Sequence, residues 1–161
     1  MNLDPICASE GALMRGTYTV ILECKEAVRI RFGRLGSANL QTGYYLYTGS
    51  ALGRGAVSLE GRLARHKRHS KRIKWHIDYL TSHSKCQFKR AVCLISTSRL
   101  ECKINNSLST RLEVRPILAH LGATDCGCKT HLVKVTQRLG LANLLAQLGI
   151  VYSAFGNPHF V

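Results

Sequence analysis

Residues 16–32 read GTYTVILECKEAVRIRF, and within them lie two β-rich runs, Gly16–Cys24 and Ala27–Phe32, separated by Lys25 and Glu26. That spacing predicts a hairpin. In the second run Val28, Ile30 and Phe32 alternate with Arg29 and Arg31, so one face packs inward and the other presents positive charge. Gly33, Gly36 and Gly43 punctuate a loop, after which GYYLYTG at 43–49 gives a third strand, with Tyr45 and Tyr47 on one face and Tyr44 and Leu46 on the other. A three-stranded antiparallel meander is the economical reading.

Downstream, the glycine-rich SALGRGAV at 50–57 leads into a helix over 58–69, in which Arg62 and His66 fall four apart and share a face. Residues 73–83 resemble a second helix and 90–96 a fourth strand. Residues 100–112 form a third helix with Leu100, Ile104, Leu108 and Leu112 as its buried stripe, and Glu101 and Asn105 on an adjoining face. Beyond Pro116 come an irregular stretch containing DCGCKTH, a short strand HLVKV at 131–135, and a helix over 139–149. There is no internal repeat. The expectation is one α/β (α+β) domain, a small three-stranded antiparallel sheet with an added strand, flanked by helices. Residues 1–14 form an N-terminal segment, 15–135 the domain, and 136–161 a C-terminal helical extension. Leu139, Leu141, Leu144, Leu145, Leu148, Ile150 and Val151 make that extension too apolar to stand free, so it packs on the domain or on a partner, a second copy included.

A chain of 161 residues, 45% hydrophobic and 20% charged, suits one domain with its own core. Its 23 Lys and Arg against 9 Asp and Glu leave +14, a field that attracts polyanions, so nucleic acid is the first candidate partner. The opening stretch MNLDPICASEGALMRG carries Asp4 and Glu10 and no continuous apolar run, which argues against a signal peptide or membrane anchor. A cytoplasmic protein with no membrane partner is therefore expected. Seven cysteines are an odd number for a disulfide framework, and read better as reduced thiols, buried or metal-bound.

A site that cuts phosphodiesters needs a group that orients or deprotonates water, a cation against a phosphate oxygen, and a carboxylate for a hard divalent metal. Tyr18, Tyr47, Arg62, His66 and Glu101 supply that set. Their order resembles the GIY-YIG nuclease superfamily, with Gly16-Thr17-Tyr18 and Tyr47-Thr48-Gly49 in place of the two name-giving tripeptides. The resemblance is closer still to an uncharacterised, largely archaeal branch, sometimes fused to a base-excision-repair glycosylase. The matching stretches are RGTY at 15–18, GYYLYTGSA at 43–51, RLARH at 62–66, WHIDYL at 75–80, RLECKI at 99–104 and DCGCKTHL at 125–132. This resemblance implies a GIY-YIG-like fold, with Tyr18 near the attacking water, Arg62 on the scissile phosphate, and Glu101 as sole protein ligand of Mg²⁺ or Mn²⁺. Tyr47 and His66 would complete the site. Both middle Ile positions are Thr here, and the gap between the tyrosine motifs is long because Ala27–Phe32 inserts a strand.

Plainer readings stand beside these. Strand tyrosines are usually packing residues with a wet hydroxyl. Arg62 is one of seven basic residues from 62 to 74, with Arg65, Lys67, Arg68, Lys71, Arg72 and Lys74. Together with Arg29, Arg31 and Arg54 they form a face that grips phosphates at any sequence. Glu101 has an ordinary ion pair with Arg99 or Lys103 as its alternative. Cys126, Cys128 and His131 offer zinc donors, with Asp125 or Cys102 as a fourth; a metal-free loop of small buried cysteines, hydrogen-bonded through Asp125, is preferred. His76 and Asp78 read as a core histidine and a capping or ion-paired aspartate, and Trp75 as a core anchor. The function expected is a divalent-metal-dependent endonuclease acting on duplex or branched DNA, in repair. The rivals are a non-catalytic DNA- or RNA-binding protein using the 62–74 face, and a small partner module docking through its apolar tail.

Overall fold

The computed structural model describes residues 14–161, so the expected N-terminal segment lies, Met14 apart, outside the described residues. In chain order it contains β1 (Gly16–Cys24), β2 (Val28–Arg31), β3 (Ser37–Leu40), β4 (Gly43–Ala51), α1 (Leu59–Lys67), α2 (Asp78–Thr81), β5 (Cys86–Ile95), α3 (Glu101–Arg111), β6 (Val114–Pro116), β7 (Leu132–Val135), α4 (Leu141–Ser153) and β8 (Pro158–Phe160). The fold is mixed α+β. Six strands form one antiparallel sheet in the order β6-β7-β4-β1-β5-β8, and β2 and β3 form a separate two-stranded sheet.

The expected β1–β2 hairpin does not form. β1 instead pairs with β4 along its whole length, from Gly16 opposite Ala51 to Cys24 opposite Gly43, and with β5 on its other side. The reason lies in burial. β1 is covered on both faces, and a neighbour in the middle of such a sheet must be apolar on both sides as well. β4 meets that demand through Tyr45, Leu46 and Tyr47, whereas β2 would carry Arg29 and Arg31 into a helix-covered face. β2 therefore pairs with β3 and folds over the sheet, burying Ile30 and Phe32 and leaving both arginines exposed.

The two faces of the sheet carry separate cores. Tyr18, Val20, Leu22, Tyr45 and Tyr47 pack under the β2–β3 hairpin, Leu59 and Leu63 of α1, and Ile77 and Leu80 around α2. Ile21, Leu46, Val92 and Leu94 pack under Ile104, Leu108 and Leu112 of α3 and Leu144, Leu148, Val151 and Tyr152 of α4. The expected stripe of α3 is thus its buried face, with Leu100 packed at the border. The second helix is only four residues long. Asp78 reaches back to accept the Lys74 and Trp75 amides at 2.9 Å each, and this caps the chain at Trp75 and leaves 71–74 outside any helix or strand.

α4 packs on β5 and α3, and β8 adds to the sheet beside β5. Tyr152 reaches the sheet itself, where its hydroxyl meets Thr19 Oγ1 at 2.8 Å, and Thr19 in turn meets Thr48 Oγ1 at 2.8 Å. No described helix is long and apolar enough to cross a membrane.

Truncation after Val135 would strip Leu144, Leu148, Val151 and Tyr152 from the core that they share with α3 and the sheet. The expected result is an aggregating or unfolded product, read by sedimentation and circular dichroism. Tyr152→Phe, which withdraws one hydroxyl from a fully buried chain of three, should cost about 1–3 kcal/mol in denaturant titrations.

Candidate functional site

Four of the five residues expected to carry chemistry converge on the α1 side of the sheet. Ser58 caps α1, accepting the Gly61 amide at 3.1 Å, and the helix then directs Arg62 and His66 down onto β1 and β4. Tyr18 Oη lies 2.9 Å from His66 Nε2. The imidazole ring sits 5.3 Å from the Tyr18 ring, 5.8 Å from Tyr47 and 6.0 Å from Trp75, centroid to centroid. Gly49, directly across from Tyr18 in the strand register, makes this possible, because a Cβ there would come within 2.6 Å of the Tyr18 hydroxyl. The glycine of the Tyr47-Thr48-Gly49 motif is therefore the space into which Tyr18 fits.

Burial shapes the protonation of this group. Desolvation pushes the Tyr18 phenol up to about 12, and the nearby Arg62 charge only partly opposes it; Glu101 lies close enough to raise it further. Tyr47 is driven up for the same reason. Desolvation, reinforced by Lys71, pushes His66 down to about 3, so its imidazole is neutral at pH 7. Two neutral phenols and a neutral imidazole thus stand together, and the His66 Nδ1 and Arg62 Nε atoms are buried with no hydrogen-bond partner. The Arg62 guanidinium lies 4.7 Å over the Trp75 ring.

Glu101 arrives from the other layer, at the first turn of α3, and meets the end of β4. Its Oε2 accepts from the Ser50 hydroxyl, and its Oε1 accepts from Arg99 Nε and Nη2 at 2.9 and 2.7 Å. Burial works to raise its pKa, but the Ser50 and Arg99 bonds outweigh that and hold it below the usual carboxylate range. The Arg99 guanidinium also bonds Asp125 Oδ2 at 3.0 Å. Sequence reasoning anticipated the Arg99 pair; Ser50, hidden inside the GSA of the second tyrosine motif, was the partner it missed.

The basic stretch is not one solvated face. Lys67, Arg68, Arg72 and Lys74 are exposed, as is Arg54. Arg65 and Lys71 are instead drawn inward by Asp78, at 2.6 and 3.7 Å, and the Lys71 side chain is only 1% exposed. Lys71 is therefore not exposed with the rest of the basic segment, because a buried carboxylate claims it. Asp78 is held low in spite of its burial by the Arg65 bond and the two amides it caps. Trp75 packs against the core from its edge, half-buried, with Arg65 at 4.8 Å and Lys74 at 5.8 Å joining Arg62 around its ring. His76 is half-buried rather than core.

A second cluster lies on the far side of Glu101. Cys102, Cys126, Cys128 and His131 place their donor atoms within 4.8 Å of one another, a group able to hold a metal ion. Of the two residues offered as a fourth member of the set, Cys102 faces the other three, whereas Asp125 turns out to Arg99.

A family model described as a domain of unknown function, DUF123, matches residues 17–151. The chain belongs to that family. No curated protein and no solved structure matches it. The DUF123 match runs from β1 into α4 and so takes in both tyrosines, the α1 pair, Glu101 and the Cys/His cluster.

The neutral His66 has a consequence for this DUF123 domain. Its folded pKa near 3 lies below the unfolded value of 6.5, so between the two the unfolded chain binds the extra proton, and stability falls as pH is lowered through that window. Asp78 and Glu101, both held low, add losses of the same sign as pH drops through the carboxylate range. Between about pH 6 and pH 4, His66→Gln should flatten the slope of stability against pH by about 1.4 kcal/mol per unit. Urea titrations of the two proteins across that range provide the measurement, and parallel slopes would mean that the imidazole is charged in the fold.

Proposed function

We propose that this protein is a GIY-YIG-like endonuclease that hydrolyses DNA phosphodiester bonds with one divalent cation, Mg²⁺ or Mn²⁺, at Glu101. The observation that carries the reading is the 2.9 Å contact between the Tyr18 hydroxyl and a neutral, buried His66, with Arg62 alongside. Both groups are uncharged at rest, and the imidazole can take up the phenol's proton in transit and release it afterwards. With His66 Nε2 as acceptor, the Tyr18 hydroxyl donates to it and keeps its oxygen lone pairs free to receive a proton from water. The attacking water then loses a proton to Tyr18 Oη as the Tyr18 proton passes to His66. The new P–O bond forms, the bond to the leaving oxygen breaks, and that oxygen is protonated from solvent. Arg62 neutralises the non-bridging phosphate oxygens as charge develops.

The residues present fit a hard cation. Glu101 is ionised and nine-tenths or more buried, and its present counter-charge is Arg99, whose side chain is 55% exposed. Arg99 stands in for the cation. Mg²⁺ takes one or two protein carboxylates with the rest of its shell from water and phosphate, and when bound there it would supply neutralisation of the phosphate and the leaving oxygen. The exposed Lys67, Arg68, Arg72 and Lys74, with Arg54 and the Arg29/Arg31 hairpin, supply the backbone grip. A second reading, a non-catalytic nucleic-acid binder, is favoured by the Trp75 platform and its ring of three cations, a surface suited to phosphate and base contact alike.

Cleavage assays on supercoiled, branched and single-stranded DNA, with Mg²⁺, Mn²⁺ or chelator, separate the two. Glu101→Gln should abolish cleavage while leaving DNA affinity equal or slightly higher. Arg62→Ala and Tyr18→Phe should each slow cleavage by about 10²–10³ without unfolding the protein. A parent that cuts nothing with any divalent metal hands the function to the binding reading. In either case affinity should fall steeply as salt rises, with little sequence preference.

A further inference from the structure

Cys102 at the first turn of α3 and Cys126, Cys128 and His131 before β7 present three sulfurs and one imidazole nitrogen to a common centre. We propose that these four side chains bind one zinc ion, and that the ion fastens the start of α3 to the segment leading into β7. The inference stands apart from the nuclease reading, because it concerns a different donor set and a structural ion.

The distances support it first. Tetrahedral zinc, with Zn–S near 2.3 Å and Zn–N near 2.0–2.1 Å, sets S···N edges of about 3.6 Å and S···S edges of about 3.8 Å. His131 Nε2 lies 3.6 Å from Cys126 Sγ and 3.8 Å from Cys102 Sγ. The whole set closes within 4.8 Å, so small rotations about the cysteine χ1 bonds complete the tetrahedron. Donor chemistry supports it next. Three thiolates and an imidazole suit zinc, and they are poor ligands for the oxygen-seeking Mg²⁺ and Mn²⁺. On binding, each thiol gives up its proton to solvent and its sulfur lone pair to the ion. Four protein ligands leave no open position, the mark of a structural rather than a catalytic zinc.

The scaffold is already in place around the donors. The His131 amide donates to Leu121 O at 2.8 Å, and its carbonyl accepts from the Thr48 amide at 3.2 Å, so the residue is pinned to β4 on one side and to its own loop on the other. Asn105 of α3 donates to Thr130 O at 3.0 Å. Glu101 and Asp125, each immediately before a ligand, are bridged by Arg99. Zinc and Arg99 thus clamp the same two segments at adjacent points.

The full-length protein, expressed with zinc in the medium and purified with a thiol reductant, should carry one zinc per chain by native mass spectrometry. After zinc is removed, titration with Co²⁺ should give intense thiolate-to-cobalt charge transfer that saturates at one equivalent. Cys102→Ser and Cys126→Ser should lose the zinc, and Asp125→Asn should keep it. Should a serine variant fail to fold, the Co²⁺ titration of the parent still decides. Removing the metal should speed amide exchange at 101–105 and 121–131 while leaving β5 as slow as before. A zinc-free parent without cobalt charge transfer overturns the site, as does loss of metal in Asp125→Asn but not in Cys102→Ser. Exchange that is unchanged or uniformly faster on metal removal overturns the fastening role. Neither result depends on whether the protein cuts DNA.

Discussion

The pairing of β1 with β4, nine residues in one unbroken antiparallel register, is the constraint on which the rest of the molecule depends. Strand periodicity sends alternate side chains to opposite faces, so a single register decides both layers at once. It sets Tyr18 against Gly49 beneath α1, where the missing side chain makes room for a phenol. It also sets Thr19 against Thr48 beneath α4, where two hydroxyls and Tyr152 satisfy one another in a dry layer. A slip of one residue would put Tyr18 under the wrong helices and threonines into the site. Thr48, the middle residue of the second tyrosine motif, has a partner for this reason: it is the foot of the α4 attachment.

Charge is arranged with similar strictness. In a chain of +14, Asp78 and Glu101 are buried carboxylates that each sit against an arginine. Asp78 sits with no exposed side-chain surface among Arg65, Lys71 and two main-chain amides. Breaking such a group by removing one partner leaves an uncompensated buried charge, a loss of about 3–5 kcal/mol. The charge of Asp78 also opposes that of Lys71 at His66, which is kept neutral first by its burial. The composition of the basic segment hides this division between cations that hold the fold and cations that face solvent.

Local pattern carried much of the fold. The 3.6-residue stripe of α3, the four-residue spacing of Arg62 and His66 and the faces of β4 are all properties of neighbours in the chain, and all read directly. What did not read was set by distant parts. β1 chose a partner some thirty residues away over the adjacent run because only burial on both faces, a tertiary fact, distinguishes β4 from β2. The helix foreseen over 73–83 shrank because Asp78 caps it from within. Cys102 and Asp125 were equal candidates to join Cys126, Cys128 and His131, and only the folded path of the loop more than twenty residues downstream, which turns Asp125 to Arg99, separates them. Glu101, by contrast, was visible as a rare carboxylate, and its Arg99 partner as an adjacent cation.

The outermost strands of the six-stranded sheet, β6 and β8, are each three residues long, and each contains a proline, Pro116 and Pro158. Two of the chain's three prolines thus stand where the sheet would otherwise offer a free row of amides. Proline has no amide proton to give, and a strand this short presents little else, so neither of these two strands is a template for another. At the β8 margin only the part of β5 from Val92 to Leu94 is covered, and over Cys86–Arg90 the outer side of β5 has no strand beside it among the described residues. Strand addition at this margin from a second copy or a misfolded neighbour is therefore confined to that one short stretch, where Lys89 and Arg90 oppose the stacking that the apolar central strands would otherwise favour.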